Sequence, residues 1–305
     1  MMPGSKIRRY RQSLKILSEA CEFFTAQATV CNIILGDCLD GKAGSLKIQD
    51  RCLQEVFDLT VDKSDDKWHF VLGNHEYYCF DRESILEKLI PVSQRTNCSP
   101  SKLYYDFSPL PGFRFIVLDG YEVSIIGGSS THHKEYADAL LREKNHNYAN
   151  GSNQWFLNMS TENFRYCPYN GAISSSQLDW LCRTLQESLN SDEKCFVFCH
   201  EPIYVHCSHS NNLLWNCEDV LSLLQSYANV IAFIAGHDHS GGFATDKSGI
   251  HHIIPPAPVE CAEGEVAFGS FRVFSDRMDM LWAGKTPTKT VWPLSLPLRN
   301  CFKGN

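Results

Sequence analysis

The chain has 305 residues, 43% of them hydrophobic and 21% charged, ordinary proportions for a folded protein with a substantial core, which excludes disordered and fibrous classes. Its 28 basic and 35 acidic residues leave a net charge of −7, and no Lys/Arg run exceeds Arg8-Arg9, a poor basis for non-specific nucleic-acid binding. Apolar runs such as Val230 to Ala235 are too short to span a bilayer.

Leu14, Leu17, Cys21 and Phe24 recur at helical spacing and predict an amphipathic helix over Tyr10 to Gln27. Val30 to Leu35 reads as a buried strand running into Gly36-Asp37, Ile48 to Leu59 as a weaker helix, and Trp68 to Leu72 as a second strand ending at Gly73. A helix over Glu83 to Ile90 stops at Pro91, and a hairpin pairs Tyr104 to Phe107 with Phe113 to Asp119. Residues 127–172, rich in Asn, Ser, Gly and His, read as a long surface excursion. Then come a serine-capped helix over Ser175 to Leu189, a strand over Cys195 to Cys199, a helix over Glu218 to Tyr227 and a strand over Val230 to Ala235. Short β-like runs follow, including Ile250 to Ile254 and Glu265 to Phe274. This alternation predicts a layered α/β domain occupying 1–305 as one unit. The order opens on a crossover helix with no strand ahead of it.

The basic start, Met1 to Arg11, lacks the apolar stretch of a signal peptide, so a cytoplasmic location is expected. The 14 Cys are scattered without a CxxC pair and read as reduced. The sequons at Asn97, Asn150 and Asn158 are then chance matches.

Four segments each follow a predicted strand, where the carboxyl edge of a sheet holds ligands: Gly36-Asp37-Cys38-Leu39-Asp40-Gly41, Gly73-Asn74-His75-Glu76, Cys199-His200-Glu201-Pro202 and Gly236-His237-Asp238-His239. Each alone reads as a turn or a core histidine. Together they offer mixed oxygen and imidazole ligands, a set that suits Mn, Fe or Zn better than Ca or Mg.

The order GDxxDG, GNHE, strand-then-His, GHDH resembles the calcineurin-like metallophosphoesterases, whose fold is a four-layered α/β/β/α sandwich. Asp106-Phe107-Ser108-Pro109, Leu118-Asp119-Gly120-Tyr121, Tyr169-Asn170-Gly171, Leu214-Trp215-Asn216 and Ala267-Phe268-Gly269 extend the resemblance to the manganese-dependent ADP-ribose/CDP-alcohol diphosphatases. The resemblance implies two divalent metals, Mn2+ first. It makes Asp37 the carboxylate bridging them, gives Asn74, His200 and His237 to one ion, and gives His239 to the other. His75 becomes the catalytic group facing the substrate phosphate, Asp40 the carboxylate orienting it, and Glu76 a structural acceptor. Tyr169 and Trp215 fall where a substrate base would stack. The implied reaction cleaves the pyrophosphate bond of ADP-ribose, CDP-choline, CDP-glycerol or related nucleoside diphosphates, by a monomer without nucleic-acid or membrane partners.

The pattern departs at its start. The Asp-x-His or Asp-x-Gln strand that opens such chains has no counterpart before Tyr10, so the chain reads as N-terminally shortened, with only Asp37 and His239 left for the first metal. Two alternatives stay open: a phosphomonoesterase or phosphodiesterase of the same fold, and a non-catalytic remnant.

Overall fold

The computed structural model describes residues 7–60, 67–287 and 292–299. In chain order the elements are α1 (Tyr10–Ala26), β1 (Asn32–Ile34), α2 (Lys42–Ser45), α3 (Gln49–Thr60), β2 (Trp68–Phe70), α4 (Asn74–Cys79) and α5 (Arg82–Lys88). Next come β3 (Tyr105–Phe107), β4 (Phe113–Val117), α6 (Thr131–Lys144), α7 (His146–Ala149), α8 (Ser175–Asn190), β5 (Lys194–Cys199), α9 (Cys217–Gln225) and β6 (Val230–Ala235). The chain closes with β7 (Gly242–Thr245), β8 (His251–Ile254), β9 (Ala267–Val273), β10 (Arg277–Gly284) and β11 (Ser295–Pro297).

One sheet has six strands in the order β3-β4-β5-β6-β8-β7, with β4, β5, β6 and β8 parallel and the two edge strands antiparallel. Period-2 alternation sends β5 side chains to opposite faces. Cys195, Val197 and Cys199 pack under α8 and α9 against Leu181, Leu185, Val220 and Leu224. Phe196 and Phe198 face the other way, into a core shared with Ile33, Phe70, Phe271 and Met280. The layer opposite therefore contains β1 and β2, which pair in parallel, and the antiparallel β9–β10–β11 ladder. Leu14 and Leu17 of α1 and Leu53 and Val56 of α3 pack against this second layer. The result is the expected α/β/β/α order.

The second layer is split. The run Cys31 to Asp37 and the β9 residues Ala267 to Phe271 line a cavity of about 560 Å³, floored by Phe196, Phe198 and Ile234 and flanked by Ile16, Ala20 and Phe24 of α1. Among the described residues no strand joins β1 to β9.

The stretch 127–172 holds more structure than its composition suggests. α6 is a 14-residue helix whose N-cap, Ser130, accepts from His133 N. Ala137 and Leu141, four residues apart, bury against Val123, Ala172 and Trp215 in a satellite core. An apolar stripe of two residues in a polar helix leaves little periodic signal. No helix among the described residues is long and apolar enough to cross a membrane, and the 13 described cysteines are free thiols.

Candidate metal centre

The four loops converge where β1, β2, β5 and β6 end. Gly36 and Gly73 have no Cβ because neither has room: at Gly36 it would lie 2.3 Å from His200 Nδ1, and at Gly73 2.2 Å from Asp37 Oδ1. Glu76, 1% exposed, ties the first two loops together. Its carboxylate accepts from the backbone N–H groups of Asp37 (2.8 Å), Cys38 (2.8 Å) and Gly73 (2.7 Å). This is the structural acceptor expected of Glu76. Asp37 (φ 54°) and His237 (φ 61°) both sit in the left-handed region, where a non-glycine residue is held only by its surroundings and which is frequent at functional sites.

One ligand atom from each of Asp37, His200 and His237 lies within 4.8 Å of the others. The outward hydrogen bonds determine which ring nitrogens face inward. His200 Nδ1 lies 2.7 Å from the Leu35 carbonyl, which can only accept, so Nε2 carries the lone pair. Asn170 is fully buried and spends its Nδ2 on the carbonyls of Arg165, Asn211 and Leu213. Its Oδ1 therefore accepts from His237 Nε2 at 2.8 Å, leaving the lone pair on His237 Nδ1. Two lone-pair nitrogens, His200 Nε2 and His237 Nδ1, then face each other at 3.1 Å, with Asp37 Oδ2 at 3.4 Å from the former. Such a set calls for a cation between its members.

Without one, a proton serves. Burial disfavours charge on His200, but the Asp37 carboxylate more than offsets it and raises the imidazole to about 9. Burial, together with the His200 charge, holds His237 down at about 3. Asn74 opens α4, is 6% exposed, and its Oδ1 has no hydrogen-bond partner. An orphaned buried carbonyl oxygen at the head of the Gly73-Asn74-His75-Glu76 loop, added to two imidazole lone pairs and a carboxylate, makes a donor set that fits a divalent transition metal. His239 stands apart from that cluster at the cavity mouth, its Nδ1 2.7 Å from Glu260 Oε1.

His75 is not part of the cluster. Gly41 N–H donates to its Nδ1 at 2.8 Å, so the neutral ring carries its proton on Nε2, 3.9 Å from Asp37 Oδ2. Asp40, expected to orient this ring, stands 3.7 Å from Nδ1, beyond hydrogen-bond distance, and instead accepts from Lys42 N at 3.0 Å. The backbone amide holds the ring in its place. Tyr169 lies beside the centre, 5.6 Å from the His237 ring and 5.8 Å from Trp155, with its hydroxyl accepting from Asn211 Nδ2. Trp215 does not: at 2% exposure it packs in the satellite core, which removes it from the base-stacking position. Asp119 of the Leu118-Asp119-Gly120-Tyr121 stretch is likewise internal, paired with Arg82 at 2.5 Å and with the Tyr77 hydroxyl at 2.7 Å.

Asn170, Gly41, Glu260 and the exposed ring of Tyr78, 5.5 Å from His75, are the residues that sequence reasoning assigned no role. Asn170 lay inside the noted Tyr169-Asn170-Gly171 stretch; Glu260 carries no local signal.

The calcineurin-like phosphoesterase profile matches residues 9–241. A mouse protein named manganese-dependent ADP-ribose/CDP-alcohol diphosphatase is 34% identical, over 94% of this chain and 86% of its own length. A zebrafish protein of the same name is 35% identical over 93% and 90%, and an Arabidopsis thaliana one 32% identical over 90% and 86%. A crystal structure of a dimetal phosphatase from Danio rerio superposes with a TM-score of 0.85 at 32% identity, covering 97% of this chain and 91% of that one. The chain belongs to the calcineurin-like phosphoesterase family, in the group of the manganese-dependent ADP-ribose/CDP-alcohol diphosphatases.

Proposed function

We propose that the chain is a manganese-dependent hydrolase that cleaves the pyrophosphate bond of ADP-ribose and of CDP-alcohols such as CDP-choline and CDP-glycerol, releasing AMP or CMP. The observation that carries this reading is the set of inward lone pairs on His200 and His237 around Asp37 and the orphaned Asn74 oxygen. The names of relatives matching over about nine-tenths of the chain support the substrate class. Asp37, Asn74, His200 and His237 would hold one ion, and Asp37 with His239 the other. Bound there, the ions supply an activated water and neutralise phosphoryl charge.

His75 points its Nε2 proton toward the Asp37 side of the centre, where it can hydrogen-bond a phosphoryl oxygen. A second proton on Nδ1 would replace the Gly41 contact and face the Asp40 carboxylate, which makes the ring a proton donor for the leaving oxygen. Tyr169 offers an aromatic face for the base. The core continuous from Leu39 to Leu298 supports a single metallophosphoesterase domain.

The test supplies the purified chain and Mn2+ with ADP-ribose, CDP-choline and p-nitrophenyl phosphate. Nucleoside monophosphate release faster than aryl phosphate cleavage is expected; the reverse order overturns the substrate class. One observation favours a second reading, a non-catalytic metal binder: among the described residues only Asp37 and His239 are assigned to the first metal of the sequence pattern. Absence of turnover with one bound Mn2+ per chain would establish it.

A further inference from the structure

His239 has a carboxylate behind it that no part of the reaction described so far uses. Its Nδ1 lies 2.7 Å from Oε1 of Glu260, and the Glu260 side chain is 8% exposed against 25% for His239. Glu260 ends a single 3-10 turn, Pro258–Glu260, that starts from a proline at its first position. That turn is clamped from both sides. Ala257 N donates to the His239 carbonyl at 3.1 Å, so the turn is tethered to the very residue it serves. From the other side Arg9 N donates to the Val259 carbonyl at 2.8 Å, Arg9 Nη1 to the Cys261 carbonyl at 3.2 Å, and Gln12 Nε2 to the Ala262 carbonyl. The beginning of α1 thus fixes the loop that fixes the ring.

We propose that Glu260 is the positioning residue of His239. A carboxylate accepts and cannot donate, so it draws the imidazole proton to Nδ1 and leaves the lone pair on Nε2. His200 and His237 are oriented by neutral acceptors, the Leu35 carbonyl and the Asn170 amide. His239 alone of the three is oriented by an ionisable partner, and it belongs to the position with the fewer described ligands. This assignment rests on the two-metal reading.

Two measurements test it. In metal-free protein with 15N-labelled histidine, the His239 ring is identified by its loss in His239→Ala. Protonation at Nδ1 is expected, and a ring protonated at Nε2 overturns the proposal. Mn2+ titrations followed by electron paramagnetic resonance then compare wild type, Glu260→Ala and Glu260→Gln. In Glu260→Ala the more weakly held ion is expected to lose about 10- to 100-fold in affinity while the tighter ion is unchanged. Glu260→Gln, whose amide oxygen still accepts, is expected to recover part of the loss. Equal affinities in wild type and Glu260→Ala overturn the role of Glu260 alone. Parallel weakening of both ions shows a merely structural residue and overturns it too. A wild-type chain that takes up a single ion overturns the two-metal reading and the Glu260 assignment with it.

Discussion

At His75 the residue's chemistry is set by a backbone amide. Gly41 N–H occupies Nδ1, so the ring keeps its available proton on the side of the metal cluster. Replacing His75 by Ala is expected to lower kcat about 10²- to 10⁴-fold, the range of a general acid, with metal content unchanged because the ring lies outside the ligand cluster. Loss of metal in that variant, read by mass spectrometry, would make His75 a ligand instead. Asp37→Asn should behave oppositely, abolishing turnover and lowering metal content together, since a neutral amide cannot bridge two cations. Wild-type rates in Asp37→Asn would remove the dinuclear mechanism. The residues of the candidate centre were legible in the sequence because each sits within a few residues of a strand end. The residues that orient them were not. Asn170 reaches His237 across 67 positions and Leu35 reaches His200 across 165, so no local pattern joins them.

Elements were legible where periodicity is strong: α1, α8 and the strands β5 and β6 lie within a residue or two of their expected positions. α6 was hidden because its buried face is only Ala137 and Leu141. β8 shows a different kind of limit, since a β-like run over Ile250 to Ile254 is readable but the cost of its polar residues is not. Both His251 and His252 are buried, and burial lowers the affinity of each for a proton, in His252 despite Asp246 at 3.3 Å. The sign follows directly. The unfolded chain binds these protons near the ordinary value of about 6.5 and the folded chain resists them, so their contribution to stability is lost as pH falls below that value. Buried Glu201, raised to about 7, slopes the other way, so the test is a difference. His252→Gln keeps a donor toward Asp246 without titrating. Its melting temperature should fall less than that of wild type between pH 7.5 and 5.5, and identical slopes in thermal unfolding would exclude His252 as the source.

For the whole molecule, the sandwich was legible from the order of elements. The consequence for packing was not: the sequence shows no cavity. The space between β1 and β9 is walled mainly by aromatic and branched aliphatic side chains, among them Phe24, Phe198, Ile234, Trp68 and Trp282. The space opens past His239 toward the metal centre, and its largely apolar walls offer water few partners. Closely packed interiors hardly respond to compression, whereas a molecule with a large void shrinks when it unfolds. This protein should therefore be sensitive to hydrostatic pressure, with an unfolding volume change toward the upper end of the usual range, about 100 mL/mol. The tryptophans that wall the space report the transition through their fluorescence. Ala20→Leu, which puts three more carbons into the void, should need higher pressure to unfold and show a smaller volume change; an unchanged volume would mean that the space is filled with water at rest. Compression is the perturbation that reports on this space directly, through the volume it leaves unfilled.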